Sequence, residues 1–282
     1  MRKGGGLLTR QLRKHWTGFL GLVILILLVL AAVFAPILAP AGPTQIVLPN
    51  KLLPPSLAHP FGTDDLGRDV LSRVIYGGRI SLASGASVVL LAMLLGVALG
   101  LVAGYWGGVI DGVVMRVSDV FLSFPRLVLA MAIAASLGAG LINGMIAVAL
   151  SWWPWYARLV RSQMLSLKQA DFVTAASSIG ASHGRIIMRH LLPNIIGLIA
   201  VQSSLDLGYA ILFTASLSFI GLGAQPPTPE WGAMISQGRN YMLTHWWYPT
   251  FPGLAIFVAV LGANLFGDTL RDILDPRLRH TV

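Results

Sequence analysis

The sequence has no cysteine. That absence excludes a disulfide framework, thiol catalysis and a cysteine-ligated metal, and it leaves the redox compartment unread. Charge is also scarce. Only 11% of the 282 residues are charged, against 55% hydrophobic. A soluble domain carries about 25% charged residues, so this chain cannot coat a globule of its own size with polar side chains. The mean hydropathy of +0.75 says the same. Length alone would suggest two soluble domains of about 150 residues each. Composition excludes them, together with disordered, collagen-like and disulfide-rich classes. An integral membrane protein remains. The motifs GxxxxGKS/T, HExxH and GxSxG are missing too, which removes the phosphate loop, the zinc-protease helix and the hydrolase elbow.

What is present is a series of apolar runs. A bilayer core needs about 20 apolar residues in a helix. Gly18 to Ala35 is uncharged and follows a basic head of Arg2, Lys3, Arg10, Arg13 and Lys14. It exceeds a signal-peptide core of about 7–15 residues and reads as a retained first span. The second span is expected over Ser81 to Tyr105. The Gly138, Gly140, Asn143, Gly144 cluster divides the next run into helices over about Val120 to Leu137 and Ile142 to Val160. Asp119, Arg126 and Arg158 would then lie near helix ends, where charge reaches the interface. The fifth span is expected from about Asn194 to Ile220 and the sixth from about Thr250 to Phe266. The expected fold is an all-α integral membrane protein with six transmembrane helices.

The net charge of +9 reads as a topology signal and not as nucleic-acid binding. With the N-terminus inside, the inner segments hold the five basic residues of the head, Arg116, Arg126, Arg158, Arg161, Lys168, Arg185, Arg189, Arg271, Arg277 and Arg279. The outer segments hold Lys51, Arg68, Arg73, Arg79 and Arg239. That bias places both termini in the cytoplasm of a bacterial-type inner membrane. The chain then divides into a cytoplasmic head (1–17), a first span with its linker (18–36), an extracytoplasmic segment (37–80), a core (81–272) and a cytoplasmic tail (273–282). The core carries an elbow at 165–193 and an extracytoplasmic loop at 221–249.

Few residues carry chemistry. The histidines His15, His59, His183, His190, His245 and His280 lie outside the expected spans. His59 with Asp64, Asp65 and Asp69 reads as loop turns, with Asp64 or Asp65 capping a short helix over Val70 to Gly77, in preference to a metal site. Ala92, Gly96, Gly100 and Gly104 recur every four residues and predict one tight helix contact. Trp152, Trp153 and Trp155 read as packing or interfacial aromatics. Gln202, Asp206, Tyr209 and Phe213 share a helix face. A carboxylate at that depth faces a cavity or a partner. Two readings stay open: a stripe lining a translocation path, or a buried structural hydrogen bond.

The segment between spans four and five predicts a helix–turn–helix elbow. Asp171 suits an N-cap and Gly180 a C′ stop. Ser182 can start a second helix, Leu192-Pro193 should end it, and Pro193 can open span five. Ala175 and Ala176 offer a small-residue surface for close docking. On physics alone, an exposed amphipathic loop is an equal reading.

Ala175-Ala176, Gly180 and Leu192-Pro193 resemble the EAA loop of ABC importer permeases. His59 to Asp69, Ser218 to Gly232 and Gly267 to Arg279 resemble the C-type subunit of dipeptide/oligopeptide permeases, including those for nickel. The resemblance covers almost the whole chain. It implies a type I importer permease fold with no catalytic or metal site in this chain. The implied partners are a second homologous permease, two ABC ATPase subunits that bind ATP and Mg, an extracytoplasmic solute-binding protein, and membrane lipid. It implies that the elbow couples to an ATPase through Asp171, Thr174, Ala175, Ala176, Gly180, Arg185, Arg189, Leu192 and Pro193. Thr174 stands where the motif has Glu, His190 where it has Ile, and Thr214 where Glu is frequent. Peptides are the expected substrate, with nickel or glutathione-like cargo as alternatives. A membrane-embedded enzyme would need a second reactive group beside Asp206, and a standalone channel would not need the elbow.

Overall fold

The computed structural model describes residues 16–274, and these are helical with no strand among them. The basic head and the end of the tail, with Arg277 and Arg279, lie outside the described residues. Helix α1 (Trp16–Val33) is uncharged. Gly21 brings it against α9 (Trp247–Leu274): a Cβ there would lie 2.6 Å from the Phe266 backbone nitrogen.

Helix α2 spans Val70–Trp106 without a break. The expected short helix and the expected second span are therefore one element. Its N-cap is Asp69, whose carboxylate accepts from the Ser72 N–H at 2.7 Å, and not Asp64 or Asp65. Asp64 is occupied elsewhere: Oδ1 accepts from the Leu66 and Arg68 backbones, and Oδ2 from Arg68 Nε at 2.6 Å. His59 Nδ1 lies 3.0 Å from Asp69 Oδ2, so this histidine braces the cap.

The expected third span is two helices, α3 (Gly108–Leu122) and α4 (Arg126–Leu137), bent by 95°. Pro125 lacks the N–H that would continue the helix and drives Phe124 out of the α region. Helix α5 (Leu141–Leu167) follows the predicted glycine break. There, Asn143 Nδ2 donates to the carbonyls of Leu137 and Gly138, the last of which sits at φ +89°. The stripe Ala92, Gly96, Gly100, Gly104 is buried, and α5 packs on it. A Cβ at Gly100 would lie 2.6 Å from the Ala157 carbonyl oxygen.

Beyond α5 come α6 (Asp171–Ser178), α7 (Leu192–Ile220) and α8 (Trp231–Gly238), then α9. Among the described residues, four helices are long and apolar enough to cross a membrane, or five if the bent pair counts as one span. α5, at 27 residues, is long enough as well. It is less apolar because it occupies the middle of the bundle, against α2, α3, α4 and α7, where its polar face needs no lipid.

Candidate functional site: the elbow and the Asp206 cluster

The elbow is built from α6 and a Schellman turn. Gly180 takes φ +78°, its N–H donates to Ser177 O at 3.0 Å, and Ala181 N–H donates to Ala176 O at 3.1 Å. The predicted C′ stop is thus present. The predicted N-cap is displaced by one residue. Ala170 has the extended cap conformation, and Asp171 occupies the first turn, where its charge suits the helix dipole.

Ser182 opens a second helix, but Leu192-Pro193 does not end it. The chain stays helical from His183 to Ile220, 38 residues in all. Pro193 has no N–H, and its ring would clash with the preceding turn of a regular α-helix. Ile186–Leu191 instead winds as a π-helix, with Leu192 N–H donating to Ile187 O. The wider turn accommodates the proline without a break. The second half of the elbow and α7 are therefore one rod of about 57 Å.

The two alanines part company. Ala176 is buried with Val173, Ile186, Ile187 and Leu191 against Tyr105, Val160 and Met164. Ala175 faces out. This corrects the expectation of a two-alanine docking surface: at helical spacing, Val173 and Ala176 share the inner face. The outer face carries Asp171, Phe172, Thr174, Ala175 and Ile179, the last 86% exposed. Arg185 and Arg189 are exposed beside it. His183 Nδ1 lies 2.7 Å from Tyr105 Oη, and Lys168 Nζ donates to the Tyr105 carbonyl at 2.5 Å. The elbow is thereby fastened to the end of α2. Neither contact had a signal in the sequence.

Midway along α7, Asp206 is only 5% exposed. Gln202 Nε2 donates to its Oδ1 at 3.1 Å, and Oδ2 has no partner. Tyr156 Oη and Trp152 Nε1, one helical turn apart on α5, face this carboxylate. Both are buried and without a hydrogen bond. Phe213 packs edge-on against Trp152, with centroids 5.2 Å apart. Tyr209 does not join them; it is 53% exposed. Thr214 is buried and turns its hydroxyl onto its own helix, at Ala210 O and Ile211 O.

Arg126 departs most from its expected place. It opens α4, at a helix end as expected, but it is half-buried and turned toward α5. The bend at Pro125 sets it over the Trp152 ring, 4.2 Å from the centroid, where its charge acts on Asp206. A basic group therefore stands beside the Asp206 cluster, which the hydropathy pattern did not indicate. Trp152 and Trp153 are packing residues as expected, and Trp155 is exposed.

A helical membrane bundle with a surface elbow fused to a helix bearing a buried acid has the form of a transporter's membrane subunit. Comparison with known proteins gives its family. Residues 96–280 match the family "Binding-protein-dependent transport system inner membrane component", and residues 6–55 match "N-terminal TM domain of oligopeptide transport permease C". The chain belongs to this family of ABC importer permeases. It is 50% identical to a probable D,D-dipeptide transport system permease protein, DdpC, of Escherichia coli K12 over 90% of this chain and 86% of that one. It is 45% identical to the dipeptide transport system permease protein DppC of Alkalihalophilus pseudofirmus (96% and 89%). It is 44% identical to the nickel transport system permease protein NikC of Escherichia coli K12 (95% and 96%). Among solved structures, a chain of the inward-facing MetNI methionine ABC transporter superposes with a TM-score of 0.56 at 17% identity. That match covers 73% of this chain and 97% of that chain, and it supports the type I importer fold.

Proposed function

We propose that this chain moves small peptides across the cytoplasmic membrane as one of two permease subunits of an ATP-driven importer. Both termini lie in the cytoplasm. Two ATPase subunits hold ATP and Mg, and an extracytoplasmic binding protein delivers the substrate. The chain itself breaks no covalent bond. One observation carries the coupling: the second half of the elbow runs into α7 as a single rod that bears Asp206. A push on α6 passes to the rod through the packing of Val173 and Ala176 on Ile186, Ile187 and Leu191, and the rod carries it to the middle of the bundle. ATPase closure would drive the rod and open the bundle outward, and hydrolysis would reset it.

The peptide reading draws on the two dipeptide relatives and on the groups around Asp206. Indole, phenol and amide suit an organic ammonium, whereas nickel favours imidazole nitrogen. The docking face is tested with Ala175→Arg and Ile179→Asp in the assembled importer. Both side chains are exposed, so folding is untouched. Peptide uptake should fall at least about tenfold, the equivalent of about 1.4 kcal/mol. Wild-type uptake and binding-protein-stimulated ATP hydrolysis in both variants would refute the coupling role.

A further inference from the structure

We infer that Asp206 and Arg126 form a subsite for a zwitterion in transit, Asp206 taking the ammonium and Arg126 the carboxylate of a small peptide. The inference rests on the permease reading and deepens it. Its first support is the unfinished polar chemistry. Asp206 Oδ2, Tyr156 Oη and Trp152 Nε1 are all buried and all unpartnered. Buried polar groups are normally hydrogen-bonded, and an isolated buried carboxylate is costly. Two donors, the Tyr156 O–H and the Trp152 N–H, face one acceptor, Asp206 Oδ2, and stop short of hydrogen-bonding geometry, so the cluster is left open to a further group. An ammonium fits the acid and the phenol oxygen, since it brings three donors and needs acceptors.

The second support is the arginine. Arg126 and Asp206 sense one another's charge. Yet no ion pair within 4.0 Å joins them among the described residues. Arg126 stacks instead on the Trp152 ring, whose indole edge belongs to the Asp206 cluster. An acid and a base meant only to neutralise each other at this depth would close. Held apart across one indole, they present both signs to a ligand that carries both. The guanidinium keeps its hydrogen-bonding fork free for a carboxylate while the ring supports its face.

The third support is the placement. Arg126 follows the bend between α3 and α4, Trp152 and Tyr156 stand on α5, and Gln202 and Asp206 on the α7 rod. The subsite is built across three elements, one of which is moved by the elbow. Displacement of the rod would separate the two charges and release the ligand.

The experiment uses the complete importer in proteoliposomes, with radiolabelled alanyl-alanine supplied at saturation. Asp206→Asn and Arg126→Gln should each lower uptake per ATP hydrolysed by about tenfold or more, the loss expected for a charged hydrogen bond. Asp206→Glu and Arg126→Lys should recover part of it. Equilibrium dialysis of labelled alanyl-alanine against the assembled complex, without the binding protein, gives a second readout. Binding should weaken with both neutral variants, and Arg126→Gln should not weaken binding of the C-terminal amide. Unchanged uptake and unchanged binding would overturn the subsite and leave the permease reading standing. A parallel loss of uptake and hydrolysis with unaltered peptide binding would also overturn it, because that marks a structural role. No peptide uptake by the wild-type importer would instead refute the proposed function, while dialysis would still decide the subsite.

Discussion

Replacing Gly100 by Ala isolates the contact that holds α2 on α5. A Cβ at Gly100 would sit 2.6 Å from Ala157 O, 2.8 Å from Val160 Cβ and 3.1 Å from Ala157 Cα. Two of these atoms belong to backbone and cannot rotate away, so the helices must part. Overpacking of this kind costs about 1–3 kcal/mol. Gly112 and Gly197 are the controls. Both are helical with nothing within 4 Å of a new Cβ, and alanine there should gain about 1 kcal/mol from helix propensity. Gly100 is helical too and shares that gain, so the gap between the test variant and the controls is the overpacking cost alone, about 1–3 kcal/mol. At about 2–4 °C per kcal/mol for a chain of this size, the melting temperatures should separate by about 2–12 °C. Fluorescence-detected unfolding of the purified complex in detergent measures this. A Gly100→Ala variant that melts with or above the Gly112→Ala and Gly197→Ala variants would refute a close helix contact at this stripe.

Two further predictions concern the opposite end of the bundle. Arg73 is fully buried, with Nε 3.6 Å from Asp64 Oδ2 and NH2 donating to Gln237 Oε1 at 3.4 Å. Arg73→Met leaves that network short of a cation and should cost about 3–5 kcal/mol, read as a lowered denaturation midpoint; a shift under 1 °C would show the network to be dispensable. Glu230 caps α8, where its carboxylate accepts from Ala233 N–H at 2.8 Å and from Ser81 Oγ. Burial pushes its pKa above the usual 4.5, against the pull of those bonds. The folded state then holds the proton more tightly than the unfolded state. The contribution of Glu230 to stability is therefore fully present below about pH 4.5 and is lost as pH rises through the folded pKa. Glu230→Gln should remove that slope, and an unchanged pH profile in the variant would contradict the assignment.

The parts of the fold legible in the sequence are those set by local pattern. Glycine at four-residue spacing marked the α2 face that meets α5. Gly180 marked the end of α6, because only a residue that tolerates positive φ closes a Schellman turn without strain. Asp206 stood out because charge is rare in an apolar run. The misread parts depend on competition between neighbours or on distant partners. Asp64, Asp65 and Asp69 are equal cap candidates on paper. Asp69 takes the cap because Arg68 and two backbone N–H groups already engage Asp64. Pro125 lies within a run that reads as one helix, and the bend there turns Arg126 onto Trp152. Pro193, read as a boundary, sits in a rod that absorbs it by widening its turn. Hydropathy averages over a window and cannot see either outcome.

Two of the buried carboxylates, Asp64 and Asp206, show how structure separates support from function. Asp64 and Asp206 are the same chemical group at similar burial. Asp64 accepts two backbone N–H groups and a guanidinium, so its lone pairs are occupied and its charge is cancelled in place. It sits in a loop layer that ties the start of α2 to α8 and α9 through Gln237 and Tyr248. Asp206 has one amide donor, an uncompleted oxygen and a cation held at a distance by an indole. The bend at Pro125 and the stacking on Trp152 hold the guanidinium open. A fully satisfied acid serves the fold. Asp206, half-satisfied on the helix that continues from the elbow, is the acid left with an oxygen to offer, and that is the basis of the proposed subsite.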